Sequence, residues 1–423
     1  MSIENKYLLK IKSAFLQAVN AGKPEKIFSE KLKNYFPNSK EIKVLAVGKA
    51  ASSMVEQIIK LKIASTGVLV TNAENFRYIK GFECFSTGHP LPDKKGLNAS
   101  NKVELFLDKL DDSHHLLILL SGGGSSLLPA PAHGLSLKEK IYINEKLLES
   151  GIDIKEINAV RRLFSRLKGG RLLKRAYPAK VSQLIFSDVM DDSLETIASG
   201  IAAPDPYNLK DVKKILKKTN LLKEPFVLNY IKKIERNSDF LPLKSSDKIF
   251  KNVKNYILAN NKTCLDKAIQ IMEEELTFKK PIGIKLEGEA SSMGVTLAKW
   301  LISQVNEAPF FTALGGETTV TLKEQNSGKG GRCQELALSF ALYMKKNFNE
   351  RKWIILAAGT DGRDGPTNAA GAIITSDKKI NIFEGQEYLK KNDSYNFLIR
   401  NKLLLNTGGT DTNLGDLVIM VMF

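Results

Sequence analysis

Short apolar runs that close on glycine or small polar residues alternate with helical patterns along much of the chain. Val44–Val47 leads into Gly48-Lys49-Ala50-Ala51-Ser52, and Gly67–Val70 into Thr71-Asn72. Leu116–Leu120 leads into Ser121-Gly122-Gly123-Gly124-Ser125-Ser126, and Val181–Phe186 into Ser187-Asp188. Such strand–loop–helix alternation predicts a parallel α/β sheet, whose ligands collect at the carboxyl ends of the strands. Residues 208–254 are lysine-rich and helical with little motif content, so the domain change is placed there, giving domains 1–240 and 241–423. A second α/β set follows, with strands expected at Tyr256–Ala259, Ile282–Leu286, Phe310–Leu314, Trp353–Ala357, Ala372–Thr375 and Leu417–Met422. A further strand at Thr318–Leu322, beside a flexible loop, predicts a mixed sheet in this half.

Length and charge refine this picture. A chain of 423 residues exceeds the usual size of one core, which agrees with two domains. Its 43% hydrophobic and 26% charged content is that of an ordinary globular protein. The net charge of +17 is uneven: residues after 240 hold 24 Lys and Arg against 20 Asp and Glu, leaving +13 in the first 240. That bias suits nucleic acid or anionic metabolites. No RNA-recognition, zinc-finger or arginine-rich pattern accompanies it, and four histidines are too few for a metal cluster. Nucleic-acid binding is therefore the minor reading. Cys84, Cys264 and Cys333 are far apart and form no CxxC, as expected in a reducing cytosol. Ile3, Tyr7, Leu8, Ile11 and Phe15 mark an amphipathic helix rather than a signal peptide, and no apolar run approaches membrane-span length. The expectation is a cytoplasmic protein without membrane or nucleic-acid partners.

Two glycine-rich segments carry the first candidate chemistry. Ser121–Ser126 can form a nest of backbone N–H donors with added hydroxyls, or a plain tight turn. Gly328-Lys329-Gly330-Gly331-Arg332 stands at the head of an apolar helix, where glycine lets the backbone approach a ligand and a helix N-terminus favours anions. Its bland alternative is a hairpin tip. Neither segment is a dinucleotide fingerprint: Leu127 and Cys333 occupy the third-glycine positions, and no GxxxxGK[ST] loop exists.

Several charged residues stand near these strand ends. Lys49 lies at a helix start, where the helix dipole disfavours a cation unless an anion compensates. Asn158–Arg171 is strongly basic; Arg162, Arg166 and Gly169-Gly170 follow helical spacing and can face one anionic site or form a solvated face. Asp188 at a strand's carboxyl end can hold Mg²⁺ or accept a hydroxyl proton, whereas Asp191 and Asp192 suit helix capping. Ala357–Gly371 is a second acidic, glycine-rich strand end without the closing glutamate of a calcium loop. His89 can contact substrate or simply be held within its own loop.

Nine segments together resemble the glycerate 2-kinases, the bacterial and archaeal family with a MOFRL-type C-terminal domain and a DUF4147-type N-terminal domain. In this chain they are VGKAASSM (Val47–Met54), STGHPLPD (Ser86–Asp93), LLSGGGSSLLPAP (Leu119–Pro131), INAVRRLFSRLKGGRL (Ile157–Leu172), and SDVMDD with IASGIAAPDP (Ser187–Pro206). LGGETTV (Leu314–Val320), GKGGRCQELAL (Gly328–Leu338), AAGTDGRDGPTNAAGA (Ala357–Ala372) and TGGTDTNLGDL (Thr407–Leu417) complete the series in family order. The resemblance implies two α/β domains, an N-terminal Rossmann-like parallel sheet and a C-terminal mixed sheet, with the active site in the interdomain cleft. It also implies phosphoryl transfer from ATP, with Mg²⁺, to the 2-hydroxyl of D-glycerate in a monomer or homodimer. The family's motif lysine and arginine align with Lys49 and Arg332, which would stabilise the transferred group's charge. Asp188 would act as base or metal ligand, with Glu317 and Asp361 as further Mg²⁺ candidates. Ser121, Gly122, Gly123, Gly124, Ser125, Ser126, Arg162, Arg166 and Lys168 would hold phosphate or the glycerate carboxylate. Cys333, Met190, Arg363 and Asn368 depart from the family's usual residues and bear on substrate preference. The competing readings are an NAD(P)-dependent hydroxypyruvate reductase and a basic nucleic-acid-binding protein.

Overall fold

The computed structural model describes residues 2–29, 32, 36, 41–322 and 328–423, which form two compact units. One unit comprises Phe28–Leu258 and the other Met1–Ile27 together with Ala259–Phe423. The division expected after residue 240 differs from these units at both ends. The reason is packing of the first helix, Ile3–Ala21, whose apolar face (Tyr7, Ile11, Phe15, Val19) is buried. Lys10 reaches Glu274 at 2.5 Å, Lys6 reaches Glu275 at 2.9 Å, and the Tyr7 ring lies 5.0 Å from that of Phe423.

The Phe28–Leu258 unit is built on six strands: β1 (Glu41–Val47), β2 (Gly67–Asn72), β3 (Phe82–Thr87), β4 (His114–Leu120), β5 (Lys180–Phe186) and β6 (Val253–Ala259). Their order is β3-β2-β1-β4-β5-β6, with β1 to β5 parallel to their neighbours. Leu116–Leu120 is buried throughout, as a central parallel strand covered on both faces requires. The chain winds outward from β1 to β3, then crosses back to place β4 on β1's other side. The carboxyl ends of β1 and β4 therefore flank the reversal of strand order, where doubly wound sheets leave a crevice. Tyr256–Ala259, expected in the second half, instead belongs to the edge strand of this sheet beside β5. Gln183 Nε2 donates to Asn255 Oδ1 at 2.6 Å there.

The other unit carries β7 (Thr277–Phe278), β8 (Phe310–Gly316), β9 (Trp353–Gly359), β10 (Gly371–Thr375), β11 (Leu404–Leu405) and β12 (Asp416–Met422) in a mixed sheet ordered β11-β10-β9-β12-β8-β7. β12 runs antiparallel to both β8 and β9, whereas β7 is parallel to β8. Two expected strands are absent. Ile282–Leu286 contributes only a bridge from Leu286 to Gly316, and Thr318–Leu322 only a bridge from Thr319 to Glu289. From Glu317 to Leu322 no strand forms: Thr319 N–H donates to the Gly288 carbonyl and Thr321 N–H to the Glu289 carboxylate. The loop expected to be flexible includes 323–327, outside the described residues. No described helix is long and apolar enough to cross a membrane.

Candidate active-site segments

In the parallel-sheet unit, the turns after β1 and β4 lock together. Gly48 has φ +132°, and a Cβ there would overlap Ser121, so this close approach requires glycine. Lys49 N–H donates to the Gly122 carbonyl at 2.9 Å, and Ala50 N–H to the Ser121 hydroxyl at 3.0 Å. Gly123 is left-handed (φ +89°) and opens the short helix Gly124–Leu127. A Cβ at Gly123 would lie 3.0 Å from His89 Cδ2 and 3.4 Å from Lys49 Cγ, so both side chains border this glycine. No backbone or side-chain acceptor among the described residues takes the N–H groups of Gly122, Gly123, Gly124 or Ser125. Consecutive donors left unpaired at a strand end form an anion-binding concavity. Asp188 follows neighbouring β5 at the same sheet edge.

Ser125 continues this arrangement inward. Its hydroxyl lies 2.8 Å from that of Ser199 and accepts from Lys168 Nζ at 2.8 Å. Lys168 also donates to the carbonyls of Ser125 at 3.3 Å and Ala198 at 3.0 Å. Its side chain is buried, and this burial, with Lys140, Arg161 and Arg162 nearby, holds its pKa well below that of an ordinary lysine.

The other basic residues do not converge on the same point. The helix Ile154–Leu163 ends before Arg166, so the helical spacing expected to align Arg162 and Arg166 is broken. Arg162 is buried against Asp205 (3.0 Å) and donates to the Glu195 carbonyl at 2.9 Å. Arg166 instead binds Glu104 at 3.0 Å and Asn101 at 2.7 Å. It lines a cavity of about 270 Å³ with His133, Arg171, Lys174 and Arg175, which none of Lys49, Ser121–Ser126 or Asp188 lines. Arg171 and Lys140 serve the carbonyls at the end of that helix: Arg171 takes those of Arg162 and Ser165, and Lys140 that of Phe164 at 2.9 Å. Cations satisfy helix-end carbonyls and complement the negative end of the dipole. Burial, with Arg161, Arg171 and Arg166 adding repulsion, lowers the Lys140 pKa to about 7. Much of the basic stretch is thus internal scaffolding.

The mixed-sheet unit gathers a different cluster. Antiparallel pairing sets Asp416, the first residue of β12, opposite both Gly316 and Gly359. Glu317 and Asp361 follow those strand ends, and Arg332 opens the helix Arg332–Asn347. Arg332 Nε and Nη2 donate to the two Asp416 oxygens at 2.5 and 3.0 Å, while Nη1 meets Glu317. Burial opposes its charge, but Asp416 and Glu317 outweigh it and raise the guanidinium pKa well above its ordinary value. Glu317, expected as a metal ligand, is therefore an ion-pair partner here. Among the described residues no three His, Cys, Asp or Glu side chains are grouped to hold a metal by themselves.

The helix N-terminus expected to receive an anion already has one from the protein. Asp364 accepts from Cys333 N–H at 3.2 Å and Gln334 N–H at 2.8 Å. Burial and the Asp416 charge raise its pKa to about 7, partly opposed by these N–H donors and Arg332. A Cβ on Gly331 would overlap Asp364, while one on Gly328 would meet Asp393 and one on Gly330 Ser394. These glycines make room for the protein's own side chains. Cys333 is buried beside them, and burial with Asp416 and Asp364 pushes its thiol pKa well up. Asp416 and Asp364 were missed as site residues although both lie in glycine-rich motifs; a charge heading the apolar Leu417–Met422 run was the available signal.

Residues 10–232 match a family described as a domain of unknown function, DUF4147, and residues 310–416 match the MOFRL family. The chain is 35% identical over 416 residues to the D-glycerate 2-kinase of Thermotoga maritima, covering 95% of both chains. It is 33% identical to the glycerate 2-kinase of Picrophilus torridus, covering 90% of this chain and 88% of that one. A crystal structure of glycerate kinase from Thermotoga maritima superposes with a TM-score of 0.82 at 34% identity, covering 99% of this chain and 100% of that one.

Proposed function

Since this chain belongs to the glycerate 2-kinase family, we propose that it transfers the γ-phosphoryl group of ATP to the 2-hydroxyl of D-glycerate, giving 2-phosphoglycerate and ADP. The observation that best supports this reading is the run of unpaired N–H groups at Gly122–Ser125, beside Lys49 and at the reversal of strand order. Phosphoryl transfer asks the protein chiefly for positioning and for positive charge around the transferred group. The N–H groups hold anionic oxygens, and Lys49, whose side chain borders Gly123, adds positive charge beside them. Asp188, at the adjoining strand end, accepts the hydroxyl proton.

Magnesium fits this site in the manner usual for nucleotides, held mainly by phosphate oxygens with one or two carboxylates. Asp188 would be the carboxylate of the parallel-sheet unit to hold it. Bound Mg²⁺ would neutralise charge on the transferred group. Arg332 keeps Asp416 as its anchor; its Nη1 edge, facing the partly exposed Glu317, is the one for which a phosphoryl oxygen can compete.

Purified protein given D-glycerate with either ATP and Mg²⁺ or NAD(P)⁺ tests the reading. ADP together with 2-phosphoglycerate is expected. NAD(P)H without ADP overturns it in favour of a hydroxypyruvate reductase.

A further inference from the structure

Lys168 presents a charge problem that the fold itself leaves open. Its side chain is 1% exposed, yet its three hydrogen-bond acceptors, Ser125 Oγ, Ser125 O and Ala198 O, are all neutral oxygens. The charged groups around it are Lys140, Arg161 and Arg162, and Asp205 pairs through one oxygen with Arg162 at 3.0 Å rather than with Lys168. No carboxylate among the described residues lies within ion-pair distance of its Nζ. An isolated buried ammonium is costly unless an anion balances it.

The acceptors of Lys168 show where such an anion would sit. Ser125 turns its carbonyl and hydroxyl toward Lys168, while its N–H belongs to the unpaired donors of the turn. Ala198 and Ser199 are consecutive non-glycine residues in the left-handed region (φ +48° and +56°). That conformation costs energy and persists only where surrounding contacts hold it. Lys168 and Ser125 provide such contacts, and a Cβ on Gly124 would lie 3.1 Å from that of Ala198. One ammonium thus ties the glycine-rich turn to a strained segment.

We propose that Lys168 is the positioning residue of the Gly122–Ser126 turn, fixing it to Ala198–Ser199 and drawing its counter-charge from an anion bound on the turn's N–H groups. The proposal rests on the kinase reading, in which that anion is either a nucleotide phosphate or the glycerate carboxylate. Lys168 touches neither directly; it acts through Ser125. A bound anion favours the charged ammonium, so binding takes up a proton and weakens as pH rises through the depressed lysine pKa.

The test is steady-state kinetics of the wild type, Lys168→Met and Lys168→Arg from about pH 7 to pH 10. Lys168→Met is expected to raise one KM by roughly tenfold, on the scale of one charge-assisted contact, with a smaller change in kcat. The KM that rises, for ATP or for glycerate, identifies the anion. The wild-type kcat/KM falls on the alkaline side; Lys168→Met lacks that limb, and Lys168→Arg, always charged, restores KM without it. A Lys168→Met enzyme with wild-type KM values and the wild-type alkaline limb overturns the proposal and leaves the kinase reading intact. A wild-type enzyme that makes no ADP from glycerate overturns the kinase reading; calorimetric binding of inorganic phosphate, equally tight to wild type and Lys168→Met, would then overturn the role of Lys168. Should Lys168→Met not fold, Ser125→Ala replaces it, and an unchanged KM for both substrates overturns the proposal.

Discussion

Ser121–Ser126 and Gly328–Arg332 look alike in sequence, each a glycine-rich segment entering a helix with basic residues nearby, and the fold uses them in opposite ways. In the first, four consecutive N–H groups find no acceptor among the described residues, and Lys49 and His89 border Gly123. In the second, the room made by glycine is taken by Asp364, Asp393 and Ser394, and the helix N–H groups bind the Asp364 carboxylate. One segment leaves its backbone N–H groups unpaired among the described residues, whereas the other is closed by the protein's own side chains. Glycine spacing reports only that something comes close to the backbone.

Substitutions can break that contrast, and the largest effect is expected at Lys49. Lys49→Ala should lower kcat/KM about 100- to 1000-fold, roughly 3–4 kcal/mol of transition-state stabilisation, with little change in unfolding temperature. Turnover near wild type would remove Lys49 from the chemistry. Gly331→Ala forces a methyl against Asp364 and should cost about 1–3 kcal/mol of stability, measured by denaturant unfolding. An unchanged midpoint would show that the second segment is not closed as described.

Gly123→Ala sharpens the same comparison from the other side. Its left-handed backbone makes alanine strained by about 1 kcal/mol, but the new methyl also enters the space between His89 and Lys49. Substrate binding should therefore suffer more than stability, the reverse of Gly331→Ala. The remaining prediction concerns pH. The folded-state pKa of Asp364, raised from 3.8 to about 7, makes its contribution to stability complete below its unfolded pKa and lost as pH climbs to about 7. Asp364→Asn should flatten that part of the profile of unfolding temperature against pH. A profile as steep as that of the wild type would assign the slope to other groups.

Much of the fold was legible because strand cores such as Leu116–Leu120 and Trp353–Ala357 are continuous apolar runs that only a buried sheet accommodates. The errors fell where pairing depends on distant chain. Tyr256–Ala259, expected in the second half, pairs in the parallel sheet, and Thr318–Leu322 has strand-like residues but only a bridge at Thr319. The basic stretch 158–171 misled for a related reason. A buried cation satisfying helix-end carbonyls, as Arg171 and Lys140 do, has the same spelling as one awaiting a phosphate.

The sequence by itself determined the α/β class, the family and the candidate pair Lys49 and Arg332. These depend on local periodicity and on motifs contiguous in the chain. Tertiary structure alone decided which glycine-rich segment stays open, that Asp416 anchors Arg332, and that Lys168 is buried with no carboxylate among the described residues beside it. Each of those is a matter of which distant side chain arrives to fill a space or balance a charge, and no local pattern encodes that arrival.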